Sequence, residues 1–167
     1  MDRFGGDVPV STRNLIQTTF DEFGKARGGN KKSGTWYIPG LETVAVLNLQ
    51  KSQYGPQYYV NVALWFLGIG VSTNPRPSHC HVQTRLESLV PDEERAHLEE
   101  LLDLEAAFDD DQRHSELLAA LEARLGPILD VSQTLSGLAS VPGQHLLKRS
   151  LIDGDGQRFL ATVLDGS

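Results

Sequence analysis

Near Val90 the hydrophobic periodicity of the chain changes from the two-residue repeat of strands to the spacing of helices. Before that residue come extended apolar runs at 35–38, 43–50 and 57–67, separated by turn sequences such as Pro-Gly and Tyr-Gly-Pro. After it, leucines recur at three- and four-residue intervals to about residue 138. Because strands come first and helices follow, the order predicts an α+β fold. We expect an antiparallel sheet of about four strands, with a helical C-terminal half packed on one face.

An N-terminal helix is predicted ahead of the first strand. Apolar residues follow helical spacing over 15–23, with Ser11 and Thr12 as candidate caps and an end at about Gly24. The next segment, 25–34, combines three glycines with four basic residues. That composition predicts a mobile basic loop.

Residues that typically end or cap helices divide the second half into several predicted helices. The aspartates at 109–111 end one helix and offer caps for the next, which Gly-Pro at 126–127 is expected to stop. Pro127 is then expected to open a further helical segment through Leu138. Val141 begins a short helix that runs to about Ser150, and Asp-Gly-Asp-Gly at 153–156 predicts a turn.

The length of 167 residues fits one folding unit. A chain of about 150 residues buries roughly 70% of its unfolded surface, which suffices for one full core. No stretch is long enough to serve as a linker between two domains. We therefore expect a single α+β domain over residues 1–167, with its core at about 11–164 and a flexible segment at 1–10.

The formal net charge of −7 is unevenly distributed. Residues 1–86 hold nine Lys/Arg and five Asp/Glu, whereas residues 87–131 hold three and fourteen. This balance lacks the basic surface that general nucleic-acid binding requires, so we expect no nucleic-acid partner. The acidic helices at 92–116 favour a basic protein partner, although solvation of a helix face accounts for the same charges.

The cysteine content bears on the cellular compartment. Cys80 is the single cysteine, so no intrachain disulfide forms, which favours a reducing compartment. The first residues lack the apolar segment of a signal peptide. The most apolar stretch, 58–71, falls short of the ~20 residues of a membrane helix. We expect a cytoplasmic protein with no membrane partner, and the oligomeric state stays open.

A polar patch is predicted on one sheet face, where the apolar strands give way to amides. If 43–50 and 57–67 pair as a hairpin, the amides of both runs lie close together, and a strand at 79–86 adds an imidazole and a guanidinium. Such groups favour recognition of a carboxylate, a phosphate or a peptide backbone. A hydrogen-bond network that fixes strand register accounts for the same pattern. The candidate ligand-binding residues are Asn48, Gln50, Lys51, Ser52, Asn61, His81 and Arg85.

Two segments carry a resemblance to a known family. They are VLNLQKS at 46–52 and YYVNV at 58–62, preceded by TWYI at 35–38 and followed by a strand that ends in Arg85. Together they resemble the bacterial family known as domain of unknown function 4304, over roughly 15–151. The resemblance implies an α+β fold and supplies no reaction, because no activity is established for that family.

Signals for catalysis and metal binding are weak. His79 and His81 are spaced to share one strand face, as two metal ligands would be, but no carboxylate stands nearby as a third ligand. The chain has no G-x-S-x-G sequence and no carboxylate pair in the strand region. Cys80 falls in an apolar pattern and indicates a small core residue. We therefore assign no catalytic residue, no metal and no cofactor.

Two functions remain open from the sequence. The leading hypothesis is a non-enzymatic protein-binding module, in one version an immunity-type protein that neutralises a basic toxin. The alternative is a small-molecule or anion binder, or an enzyme, that uses the polar patch. A concave pocket lined by the patch residues favours the alternative, whereas buried side chains bonded to each other favour the module or a structural role.

Overall fold

The structure is a computed structural model that describes residues 13–165. Its strands are β1 (Asn30–Lys32), β2 (Thr35–Pro39), β3 (Thr43–Lys51), β4 (Tyr58–Phe66), β5 (Val82–Arg85) and β6 (Leu151–Ile152). Its α-helices are α1 (Leu15–Ala26), α2 (Asp92–Leu101), α3 (Asp110–Ala120), α4 (Gly126–Ser132), α5 (Leu135–Ala139), α6 (Val141–Lys148) and α7 (Gly154–Leu160). Short 3₁₀ segments precede and follow β5, at Pro77–His79 and Leu86–Ser88.

The sheet is an antiparallel meander in which each strand pairs with the next, in the order β1-β2-β3-β4-β5-β6. The predicted α+β class is confirmed, with six strands in the described chain where about four were expected. The two additional strands are the short edge strands β1 and β6. The prediction of a mobile loop at 25–34 is wrong, because β1 pairs with β2 through a tight turn. Ser33 and Gly34 adopt positive φ values of 53° and 79° there, which suits a two-residue hairpin.

The two sheet faces differ in chemistry. On the core face, side chains such as Leu47, Val62 and Phe66 pack into one cluster with the buried leucines of the helices. The open face carries a smaller apolar cluster, formed by Tyr37, Val44, Val46, Ala63 and Cys80. Further along the same strands this face presents amides instead. The predicted packing of the helical half on one face of the sheet is therefore confirmed.

Helix α1 begins later than predicted. Asn14 is its N-cap: the Asn14 side chain accepts from the Gln17 amide N–H at 2.9 Å, and Gln17 Oε1 accepts from the Asn14 N–H at 3.0 Å. This reciprocal capping box satisfies two otherwise unpaired donors and fixes the helix start. The predicted caps Ser11 and Thr12, and the segment 1–10, lie outside the described residues.

The expected helix stop at Gly126-Pro127 is wrong. Helical backbone continues from α3 through a π-helical segment, Leu121–Leu125, into α4. The Gly126 N–H bonds to the Leu121 carbonyl, one residue further back than in an α-helix. Pro127 lacks an N–H and clashes with the preceding turn of a regular helix, and the wider turn accommodates it.

The C-terminal part adds an edge strand and a helix. Asp153 lies in the predicted turn but acts as the N-cap of α7, accepting from the Gly156 N–H at 2.7 Å. The strand β6 just before it pairs with β5. Within residues 13–165, no helix has both the length and the apolar character required to cross a bilayer.

Candidate functional site

Four of the predicted site residues meet on the open face and form what we call the amide cluster: Asn48, Gln50, Asn61 and Arg85. The strand register places Asn48 and Arg85 on either side of Asn61. Asn61 Nδ2 donates to Asn48 Oδ1 at 2.9 Å and to Gln50 Oε1 at 3.0 Å. The hairpin pairing inferred from the sequence therefore brings these amides into direct contact.

The Arg85 guanidinium is oriented by the rest of the amide cluster. Its Nη2 donates to Gln50 Oε1 at 3.1 Å and its Nε to Asn61 Oδ1 at 3.4 Å. The guanidinium carbon lies 4.4 Å from the centre of the Tyr59 ring, within cation–π range. The sequence analysis does not select Tyr59, although its place opposite Gln50 in the hairpin is a signal for it. Arg85 is thus preorganised at the end of β5 while still partly exposed.

Lys51 and Ser52 are not in the amide cluster. Lys51 is exposed at the end of β3, opposite Tyr58, and alternation directs it to the other face. Ser52 begins the hairpin loop, where its Oγ accepts from the Tyr54 N–H at 3.1 Å. Ser52 therefore stabilises the hairpin loop, and Lys51 lies apart from the four residues of the amide cluster.

His81 is also separate, because the strand predicted at 79–86 begins only at Val82. The His81 ring is buried beside Phe66, at the opposite end of β4 from Asn61. Its Nδ1 accepts from the Phe66 N–H at 3.0 Å, which requires the neutral ring with its proton on Nε2. Burial lowers the pKa of His81, against an opposing attraction from two nearby aspartates. Its role is to satisfy the sheet backbone.

The pairing of His79 and His81 on one strand face is wrong. His79 ends a 3₁₀ segment opened by Pro77 and is exposed, whereas His81 is buried. No group of three His, Cys, Asp or Glu side chains suited to a metal occurs in the described part of the chain. Cys80 is buried as predicted but in the open-face cluster. Burial, with a smaller effect of Asp153, raises the pKa of the Cys80 thiol to about 12, which keeps it unreactive.

A second candidate site is the acidic surface, which we define by the exposed carboxylates of α2, α3 and the segment between them. A 3.0 Å contact between His97 Nε2 and Glu116 Oε1, an ion pair when the ring is protonated, joins the two helices side by side. Within residues 13–165, several of these carboxylates neither form an ion pair nor cap a helix: Glu93, Glu99, Glu105, Asp110 and Asp111.

The three arginines within 87–131 all interact with other groups of the described chain. Arg124 pairs with Glu94, and Arg95 donates through Nε to the Glu87 carbonyl at 2.7 Å. Arg113 is only 5% exposed and donates to two backbone carbonyls. Positive charge in this region is therefore held against the backbone or neighbouring side chains, and the carboxylates dominate the field that a partner meets.

Arg113 is a structural residue that sequence reasoning missed. Its Nη1 donates to the carbonyl of Leu101, the last residue of α2, at 2.6 Å, and its Nη2 donates to the Ala106 carbonyl at 3.1 Å. A cation at a helix C-terminus complements the helix dipole. The spacing of Arg113, Leu117 and Leu121 places the arginine on the buried stripe, and that was the available signal. Through these bonds Arg113 fixes the segment between α2 and α3, which carries part of the acidic surface.

Glu87 is a second buried charge that the sequence did not reveal. Beyond Arg85 the strand β5 ends, and the Glu87 carboxylate takes over as acceptor for the Val60 N–H, at 3.2 and 3.4 Å. Burial raises the pKa of Glu87, and its hydrogen bonds and the charge of Arg85 oppose that rise. The carboxylate therefore completes the edge of β4 at an electrostatic cost.

The fold and these two surfaces define an α+β domain with one helix-covered sheet face, one open polar sheet face and an acidic helical side. A family model described as a domain of unknown function, DUF4304, matches residues 21–131. This match covers well over half of the chain, so the protein belongs to that family. It is narrower than the 15–151 expected from the motifs and leaves α5, α6, β6 and α7 outside. Neither the curated proteins nor the solved structures contain a match.

Proposed function

We propose that the protein is a non-enzymatic protein-binding module whose acidic surface receives a basic partner protein. The supporting observation is that the three arginines of the acidic segment are paired with carbonyls or carboxylates of the protein, while several of its carboxylates are exposed and unpaired in the described chain. Glu105 and Asp111, for example, are exposed and have no cationic partner in the described chain. Such a surface steers a positively charged partner and raises its association rate.

One specific form of this function is that of an immunity-type protein that neutralises a basic toxin in the cytoplasm. A protein that masks a cationic surface requires exposed negative charge on a rigid support, and it requires no catalytic group. The helices α2 and α3 provide that support through the core leucines Leu98, Leu101 and Leu117. The single buried thiol of Cys80 is compatible with a reducing compartment.

The test uses the polypeptide encoded next to this chain, purified and titrated by calorimetry. We expect the variant Glu105→Gln/Asp111→Asn to bind it on the order of tenfold more weakly, since each lost interfacial charge removes part of the attraction. The control variant Asp130→Asn/Asp155→Asn removes the same charge outside the acidic surface, and wild-type affinity is expected. Equal weakening by both variants, or absence of binding, contradicts the proposal.

A further inference from the structure

A shallow hollow of about 530 Å³ lies between β5, the 3₁₀ segment after it and the C-terminal end of α6. Its walls carry three cationic side chains, those of Arg85, Lys148 and Arg149, and no carboxylate. Two of these cations come from α6 and the residue after it, beyond the residues matched by the family model. We call this feature the cationic hollow.

The cations of the hollow keep donors available for a ligand. Arg85 is held by its partners in the amide cluster through Nη2 and Nε, and no described residue accepts from its Nη1. Lys148 is exposed and has no ion-pair partner among residues 13–165. The Arg149 backbone is anchored because its carbonyl accepts from Thr84 Oγ1 at 2.9 Å. Its guanidinium makes one long contact, 3.5 Å, to the Ser88 carbonyl.

A neighbouring hollow shows on which side an anion is expected to lie. Arg85 and Arg149 also border a space of about 380 Å³ that is lined by Glu87 and Glu99 and by a third cation, Arg95. The two carboxylates offset two of the three cationic charges there, whereas no carboxylate lines the cationic hollow, so the hollow is the more favourable side for an anion. Ser88 lines both spaces.

We propose that the cationic hollow binds the phosphate group of a small phosphomonoester. Three cations exceed what a carboxylate with one charge requires and suit a dianion, which guanidinium groups contact through two donors at once. The hollow is a small cationic patch on a chain of net charge −7, so a polyanion such as nucleic acid is disfavoured. This site is independent of the proposed protein-binding function, because it uses none of the carboxylates of the acidic surface.

The test is an NMR titration of the full chain with inorganic phosphate, glycerol 3-phosphate and acetate at constant ionic strength. Saturable shifts are expected for amides near Arg85 and Arg149 with both phosphates, with acetate binding at least about tenfold more weakly. We expect Lys148→Gln and Arg149→Gln each to weaken phosphate binding about fivefold or more. Both side chains are exposed, so these variants are expected to fold.

Lys25→Gln is the matched control, because Lys25 is an exposed cation on α1 and has no place in the hollow. Phosphate binding by this variant is expected to equal that of the wild type. The proposal is overturned by equal weakening in Lys25→Gln, by acetate binding as tightly as phosphate, or by the absence of saturable shifts. Tighter binding of a short oligonucleotide than of glycerol 3-phosphate through Lys148 and Arg149 overturns the small-molecule assignment.

Discussion

Replacing Arg113 by methionine is expected to destabilise the protein by about 2–4 kcal/mol. Its guanidinium makes two hydrogen bonds, to the Leu101 and Ala106 carbonyls, and is buried. Hydrogen bonds of a charged donor contribute about 1.5–3 kcal/mol each, and carbonyls left without a partner cost a similar amount. Removing the buried charge offsets part of this loss of stability, because the charge no longer has to be desolvated on folding. Methionine retains contact with Phe108, over which the guanidinium lies at 5.2 Å.

The assay is urea unfolding, with the free energy and its denaturant slope compared between variants. Arg124→Met is the control, because the Arg124–Glu94 pair is partly exposed and such pairs contribute about 0–1 kcal/mol. Amide exchange over 102–109 is expected to accelerate in Arg113→Met alone, since that segment loses its anchor. An unfolding free energy for Arg113→Met within about 0.5 kcal/mol of the wild type refutes the reasoning.

Three further changes test the packing and the buried charges. Gly143→Ala is expected to cost more than about 2 kcal/mol in thermal or urea unfolding, because the added Cβ lies 2.5 Å from Leu138 Cα in packed backbone; a neutral result contradicts this packing. Burial raises the pKa of Glu87 above its ordinary 4.5, so the folded state loses stability as the pH rises from 4.5 through the raised pKa of the folded state. Glu87→Gln keeps an acceptor for the Val60 N–H, and we expect it to be more stable than the wild type near neutral pH; lower stability there contradicts the assignment. Burial lowers the pKa of His81 below 6.5, so its contribution is fully present above that pH and is lost as pH falls toward the folded-state pKa. The variant His81→Gln, with an amide oxygen as acceptor, is expected to reduce this loss in urea unfolding between about pH 7 and pH 5, and an unchanged pH dependence contradicts it.

Strand alternation predicted the sheet and most of the amide cluster. The two-residue repeat assigns Asn48, Gln50 and Asn61 to one face whatever the tertiary context, because neighbouring side chains in a strand point to opposite sides. The order of strands and helices similarly predicted the class of fold. Alternation does not predict where strand pairing begins. It therefore places His81 beside Arg85, although His81 lies at the other end of β4.

The remaining errors depend on tertiary contacts. Gly126-Pro127 is a strong local signal for a helix end, but core leucines on both sides of it, Leu121 and Leu129, favour continuation through a π-helical turn. The edge strand β6 has two residues and gains its structure only from pairing with β5. Arg149 joins the cationic hollow through contacts between elements far apart in sequence, for which no local pattern exists.

The salt dependence of binding tests the proposed function most directly. The affinity for the polypeptide encoded beside this chain is measured by calorimetry at about 50 mM and about 300 mM NaCl, for the wild type and for Glu105→Gln/Asp111→Asn. We expect the wild-type affinity to fall at least about tenfold over this range, and the affinity of the variant to fall less, because fewer charges remain to be screened. A wild-type affinity that does not change with salt contradicts binding through the acidic surface.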